Sequence, residues 1–366
     1  MNLKFHMPTQ VLMGPDCIRK NAAVLASLGS RALIVTGRSS RSNGALKDVT
    51  DTLETNGQTW TVFNEVQSNP SIASVYAGAE LARIEQADCV IGIGGGSPMD
   101  AAKAIALLAC QDIPEDLLFS GTYGSEVLPM AMVPTTAGTG SEVTQYSVLT
   151  NDRLQTKTSI GSPVLFPAFA LLDARYMLAL PPHITNHTAV DALAHAVEGM
   201  LTVNATPMTD MIALESIGRI AGVFDSLKTG RLELADRENL LYASMLAGIV
   251  VAHTKTTTVH AMGYSLTYFK NLDHGHATGL FLPEFLAFIE KSQPDLVCRI
   301  LAAMKLTDVS AFRALMHTLL ELPERLTPAE IDAYTAITAR SKSVQNSTVV
   351  PTVDEIRQFF KAVTGG

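Results

Sequence analysis

Four side chains dominate the chemistry available to this chain: Asp191, His195, His260 and His274. The first two sit in Asp191-Ala-Leu-Ala-His195, and a spacing of four puts both on one face of a helix. His260 opens His-Ala-Met-Gly-Tyr, and His274 opens His-Gly-His-Ala. Seven of the nine histidines fall between His183 and His276, so the imidazoles are concentrated rather than scattered. Three imidazoles and one carboxylate make a four-donor set for a divalent transition metal, and without a thiolate the set suits Fe(II) or Zn(II). An isolated Asp/His pair at this spacing also occurs as a plain hydrogen-bonded pair. The two further histidine motifs tip the reading toward a metal.

A second chemistry lies upstream. Ile91-Gly-Ile-Gly-Gly-Gly-Ser-Pro-Met-Asp100 follows an apolar run and precedes a helical stretch from Ala101 to Leu108. Consecutive glycines let a pyrophosphate approach the backbone with no Cβ in the way. Ser97 is placed to cap the helix and Pro98 suits its first turn, and exposed N–H groups at that end favour an anion. Pro134-Thr-Thr-Ala-Gly-Thr-Gly-Ser-Glu142 is a second glycine-rich loop after a strand, where open α/β sheets bind ligands. Thr135, Thr136 and Thr139 offer hydroxyls to phosphate or ribose, and Lys157 is a further phosphate candidate. The first strand ends Thr36-Gly37-Arg38-Ser39-Ser40-Arg41 with no acid to take a ribose 2′-hydroxyl. Small, hydroxylated and basic residues there, Gly37, Ser39 and Ser40 among them, favour NADP(H) over NAD(H).

The elements that must carry these motifs fall into two halves. Arg31–Thr36, Trp60–Phe63, Cys89–Ile93 and Met130–Val133 read as strands, with a helix over Ile72–Ile84 and a further strand within Leu165–Asp173. Strands alternating with helices predict right-handed crossovers and a mostly parallel sheet. After Pro181-Pro182 the texture becomes Ala/Leu/Met-rich and helical, as in Leu240–Ala252 and Pro283–Glu290. The expected division is an α/β Rossmann-like dinucleotide-binding domain over residues 1–180 and an all-α metal-binding domain over residues 181–366.

Composition narrows the class. At 366 residues, 47% hydrophobic and 17% charged, the chain can bury two large cores. A formal charge of -8 with no basic run argues against a nucleic-acid partner. No apolar stretch approaches the roughly 18 residues of a membrane span, and no signal-peptide core precedes Pro8. Cys17, Cys89, Cys110 and Cys298 are far apart and form no CxxC pair. Unpaired thiols fit a reducing compartment, and a cytoplasmic location is the expectation.

Taken in order, these segments resemble the iron-containing (group III) alcohol dehydrogenase family over almost the full length. The resemblance runs from Met7-Pro-Thr and Val11-Leu-Met-Gly14 to His274-Gly-His-Ala-Thr-Gly. It is carried by Gly94-Gly-Gly-Ser-Pro-Met-Asp100, Pro134-Thr-Thr-Ala-Gly-Thr-Gly-Ser-Glu142, Asp191-Ala-Leu-Ala-His-Ala-Val-Glu198 and His260-Ala-Met-Gly. The chain is similar in particular to the branch of 1,3-propanediol and lactaldehyde-type dehydrogenases. The resemblance implies catalysis in a cleft between the two domains, with iron preferred, held by Asp191, His195, His260 and His274. It implies cofactor contacts at Gly95, Gly96, Ser97, Asp100, Thr135, Thr136 and Thr139, and at Asn69 in a pre-proline loop. It also implies a homodimer or larger assembly; an edge strand in residues 1–14 pairing across a two-fold axis is one way to build it.

One position departs from that pattern. Many members of the family carry a histidine four residues after the third metal ligand, as a proton relay, and here the residue is Tyr264. Tyrosine relays a proton but, with an ordinary pKa of about 10, is a poorer base. Tyr264, with the ligands His260 and His274, is thus the catalytic candidate; His253 and His276 read as structural. The expected reaction is reversible hydride transfer between NADP(H) and a small primary alcohol, diol or aldehyde. Three alternatives remain open: a dehydroquinate-synthase-like lyase, a metal-independent reductase of the maleylacetate type, and a catalytically silent cofactor- and metal-binding protein. Phe166, Phe269, Tyr264 and Leu280 lie near the motifs and read equally as pocket or core.

Overall fold

The structure, a computed structural model, describes residues 3–364, apart from the side chains of Arg38, Ser39 and Thr364. The chain divides into two compact units, one of His6–Thr136 with Gly140–Ala179, the other of Leu180–Gly366 with Met1–Phe5 and Ala137–Thr139.

The first unit is built on six parallel strands: β1 (Gln10–Met13), β2 (Arg31–Thr36), β3 (Thr59–Phe63), β4 (Cys89–Gly94), β5 (Met130–Pro134) and β8 (Phe169–Leu172). Their order across the sheet is β1-β8-β5-β4-β2-β3, every pair parallel. Alternation along β2 sends Leu33 and Val35 into one apolar layer and Ala32 and Ile34 into the other, the period-2 pattern of a sheet covered on both faces. Helices α4 (Ile72–Ile84) and α5 (Gly96–Cys110) cover the first face, and α1 (Cys17–Lys20), α2 (Ala22–Ala26) and α3 (Ala45–Thr55) the second. The chain leaves β2 toward β3 and β4 toward β5, in opposite directions along the sheet. Such a reversal opens a crevice at the carboxyl ends of the two strands, where Gly37 and the glycine run lie.

Two features differ from expectation. β6 (Tyr146–Asn151) and β7 (Thr156–Gly161) form a separate antiparallel hairpin. Their polar alternation gives a weak strand signal, and Lys157 is carried on β7. The amino-terminal strand is four residues long and pairs only with β8; residues 3–9 hold no regular structure.

The second unit is helical: α6 (Pro182–Met200), α7 (Pro207–Ala221), α8 (Phe224–Thr229), α9 (Leu234–Thr254), α10 (Thr258–Lys270), α11 (His274–Glu290), α12 (Pro294–Ala303), α13 (Val309–Leu319), α14 (Pro328–Ala339) and α15 (Val353–Thr364). Pro182 opens α6, where its missing N–H costs nothing. From Ala189 to Met200 every residue of α6 is buried, so Asp191, His195 and Glu198 are polar groups inside an apolar helix. No helix among the described residues is long and apolar enough to cross a membrane.

Candidate active site

Helix α6 supplies Asp191, His195 and, one turn further, Glu198, while α10 supplies His260 and α11 begins with His274. The helices come close because Gly275 has no side chain: a Cβ there would lie 1.9 Å from the His187 carbonyl oxygen and 2.7 Å from Asp191 Cβ. Asp273 sits at the N-cap position of α11 without a side-chain cap, and its Oδ2 instead lies 2.7 Å from His187 Nδ1, tying the turn before His274 to α6.

The three imidazole Nε2 atoms of His195, His260 and His274 stand 4.0, 3.9 and 3.8 Å from Asp191 Oδ1. These distances are too long for hydrogen bonds. Asp191 Oδ1 is buried and has no hydrogen-bond partner among the described residues, an arrangement that costs stability unless a cation is bound there. Metal bonds of roughly 2.0–2.2 Å place neighbouring donor atoms about 3–4 Å apart. The donor atoms of Asp191, His195 and His260 all fall within 4.8 Å of one another, so the residues fit a divalent ion with nitrogen and oxygen ligands.

Glu198 orients the set. It is fully buried; its Oε1 accepts from Thr257 N at 2.9 Å, Thr257 Oγ1 at 2.6 Å and His260 N at 3.3 Å. Its Oε2 accepts the His260 Nδ1 proton, which turns the Nε2 lone pair of His260 toward Asp191. Burial pushes the Glu198 carboxyl up, but His260 and the bonds from Thr257 outweigh it and hold it below its ordinary value. Burial also lowers His195, partly opposed by Asp191, and so favours the neutral imidazole a metal requires. Sequence reasoning passed over Glu198, although its spacing of seven from Asp191 and three from His195 marks the same helical face.

The two histidines read as structural, His276 and His253, are engaged elsewhere. His276 Nε2 bonds the Glu321 carbonyl and its ring stacks on His187; His253 bonds the Ile249 carbonyl and stacks on Phe5. Tyr264 is half-buried, with its ring stacked on His274 at 5.4 Å and edge-on to His260 at 6.4 Å. Leu280 is core, and Phe269 stacks on Tyr334.

In the α/β unit, Gly94 ends β4 with φ 150, and a Cβ there would meet Pro98 at 2.6 Å. The helix cap is Gly95, not Ser97; Ser97 lies in the first turn and its Oγ accepts from Asn69 N at 3.1 Å. Asn69 holds a left-handed backbone (φ 61), and its carbonyl accepts from Thr150 Oγ1 at 3.0 Å. Thr135 N donates to Gly94 O at 2.8 Å, joining the two glycine-rich loops. Gly95, Gly96, Ser97, Asn69, Thr136 and Lys157 keep partial exposure at these carboxyl ends and on the hairpin.

Several candidates are engaged elsewhere. Ser40 is buried, and its hydroxyl bonds Thr36 Oγ1 at 2.5 Å and Gly37 O at 3.1 Å. The Ser39 side chain falls outside the described residues. The Asp100 carboxylate accepts from Ser141 Oγ at 2.5 Å and Val148 N at 3.1 Å. Thr139 groups with the helical unit.

Comparison with known proteins agrees with this architecture. Residues 8–174 match the iron-containing alcohol dehydrogenase family, and residues 185–347 match the C-terminal region of the Fe-containing alcohol dehydrogenase family. The chain is 34% identical to 1,3-propanediol dehydrogenase of Citrobacter freundii over 295 residues, covering 79% of this chain and 76% of that one. It is 32% identical to choline dehydrogenase of Bacillus subtilis (strain 168) over 333 residues, covering 88% and 83%. The crystal structure of an iron-containing alcohol dehydrogenase from Thermotoga maritima matches with a TM-score of 0.92 at 35% identity, covering 99% of each chain. That of sulfoacetaldehyde reductase from Bifidobacterium kashiwanohense in complex with NAD+ matches at 0.89 and 29%, covering 100% of this chain and 99% of that one. In sequence and in fold, this chain belongs to the iron-containing alcohol dehydrogenase family.

Proposed function

We propose that the protein is a metal-dependent alcohol dehydrogenase and aldehyde reductase that moves a hydride between NADP(H) and a small primary alcohol, diol or aldehyde. The observation that carries this reading is the convergence of three imidazole nitrogens on the partnerless Asp191 Oδ1. In the proposed site Asp191, His195, His260 and His274 hold iron. A divalent ion in that donor set supplies Lewis acidity toward an alcohol or carbonyl oxygen.

The chain's own groups do the rest. Asp191 contributes the one negative charge of the set, and Glu198 fixes the tautomer of His260. Tyr264, packed on two of the ligating rings, is the group we assign to proton transfer at the substrate oxygen. The backbone around Gly95 and Gly96, at the start of the fifteen-residue α5, receives the pyrophosphate. Ser97, Asn69, Thr135, Thr136, Thr139 and Lys157 are assigned to phosphate and ribose. The absence of an acid after β2 supports NADP(H). With the Ser40 hydroxyl turned inward, that preference rests on Gly37, Ser39 and the two arginines. A homodimer or larger assembly in the cytoplasm completes the reading.

The test is anaerobic turnover of protein loaded with Fe(II), then with Zn(II), against two- to four-carbon aldehydes, with NADPH and NADH compared. Metal-dependent NADPH oxidation that vanishes in Asp191→Ala and His260→Ala is the expected result. Tight binding of cofactor and metal with no turnover on any aldehyde overturns it. Tyr264→Phe should cut kcat by about a hundredfold or more while metal content holds; wild-type kcat would remove Tyr264 from the mechanism.

A further inference from the structure

Behind the glycine run lies a charged group with no part in the chemistry above. Lys103, on α5, is fully buried. Its Nζ donates to Ser141 Oγ at 2.8 Å, Thr144 Oγ1 at 3.2 Å and the Tyr146 carbonyl at 2.8 Å, and stands 3.9 Å from Asp100 Oδ1. Asp100, one turn earlier, takes Ser141 Oγ on one oxygen and Val148 N on the other, while its carbonyl accepts from Ser147 Oγ at 2.7 Å. A buried charge pair is retained at a desolvation cost of several kcal/mol per ion, so its hydrogen bonds must be satisfied and its geometry fixed. Here they are satisfied by one stretch of chain, Ser141 to Val148, which emerges from the second glycine-rich loop.

The linkage extends beyond that loop. The hairpin anchored at Val148 continues to Thr150, whose hydroxyl holds the Asn69 carbonyl and whose N–H holds that of Pro70. Thr150 also faces Lys157 across the hairpin. Three segments assigned to the cofactor are therefore wired to two residues of α5: the second glycine-rich loop, the Asn69 turn and the strand bearing Lys157. A fourth of the assigned segments, the glycine run, is the start of α5 itself.

We infer that Asp100 and Lys103, acting through Ser141 and Thr144, form a buried clasp that fixes the dinucleotide-binding segments in register, as positioning residues and not as contacts to the cofactor. The inference rests on the proposed dinucleotide site and assigns its residues more narrowly. Asp100, which the family resemblance marks as a cofactor contact, has both carboxylate oxygens committed within the fold.

The test is dinucleotide affinity, measured by calorimetry on metal-loaded full-length protein with NADP+ and NAD+, independent of turnover. Ser141→Ala and Thr144→Val each delete one hydroxyl and are mild enough to fold; Lys103→Met removes the charge. The clasp requires Kd and cofactor KM to rise by about tenfold to a hundredfold in Ser141→Ala and Lys103→Met, and by less in Thr144→Val. Through all of this kcat at saturating cofactor should stay within about twofold and metal content should be unchanged. Wild-type affinity in both Ser141→Ala and Thr144→Val overturns the clasp, as does a kcat loss at unchanged Kd. If the wild-type protein binds neither dinucleotide, the functional reading itself fails and the clasp falls with it.

Discussion

In the proposed metal centre, Glu198 is a residue that would shape the site without being a ligand itself. As the acceptor for His260 Nδ1 it decides which imidazole nitrogen keeps a lone pair. Glu198→Gln presents an amide where a carboxylate stood, so metal affinity should fall by about tenfold to a hundredfold, read by competition with a chromophoric chelator. Unchanged affinity would leave Glu198 a structural acid. Glu142 offers a residue-scale prediction in pH. Burial pushes its carboxyl from 4.5 up to about 7, against the opposing pull of Lys103. A carboxyl raised by folding contributes stability that is complete below pH 4.5 and lost as pH climbs through 7, a change of roughly 3 kcal/mol. Lys103 is lowered by burial to about 8, so its charged form is held at a cost that fades between pH 8 and 10.5. Glu142→Gln should therefore flatten the fall in Tm between pH 4.5 and 7 and leave the alkaline limb in place. A fall of wild-type size in the variant would place the titration elsewhere.

At the scale of elements, the approach of α11 to α6 is set by one missing methyl. Gly275→Ala drives a Cβ into the His187 carbonyl and must lift the first turn of α11, together with His274. The expected cost is about 1–3 kcal/mol, with weakened metal binding, seen as a lower Tm and a lower metal content after dialysis. A variant with wild-type values of both would show that the turn yields freely. Element scale is also where legibility in the sequence divides. β2 was legible from its apolar, β-branched run ending at Gly37, and α4 was legible approximately, its start fixed in the structure by the Ser71 side chain accepting from Ser74 N. The β6–β7 hairpin was illegible because its strands pack only in part and alternate without an apolar face. Asp191 and His195 were legible from their spacing, whereas Glu198 and Lys103 were hidden, since nothing in a linear sequence distinguishes a buried charge from a solvated one. The inward turn of Asp100 and Ser40 was hidden for the same reason.

At the scale of the whole molecule, each half of the chain matches its own region of the family, and in the proposed function the two carry separate chemistries: the sheet would offer backbone N–H groups to an anion, and the helices donors to a cation. The units are not consecutive in sequence. Ala137–Thr139 groups with the helices although both flanks belong to the sheet, as does Met1–Phe5 ahead of the first strand. Ala137 is buried there, Gly138 lies against Thr188, and Phe5 stacks on His253. A fragment of residues 180–366 should thus be less cooperative on heating than the same region within the full chain. A sharp, native-like transition of the fragment in calorimetry would contradict this.

The interleaving also bears on how such enzymes can be recombined. A crossover at residue 180 between two relatives would inherit its helices from one parent and the tripeptide seated among them from the other. Chimeras of that kind should lose activity more often than their overall identity implies. Carrying residues 3–5 and 137–139 along with the helical parent should restore them, so the inheritable module is defined by packing rather than by a cut point.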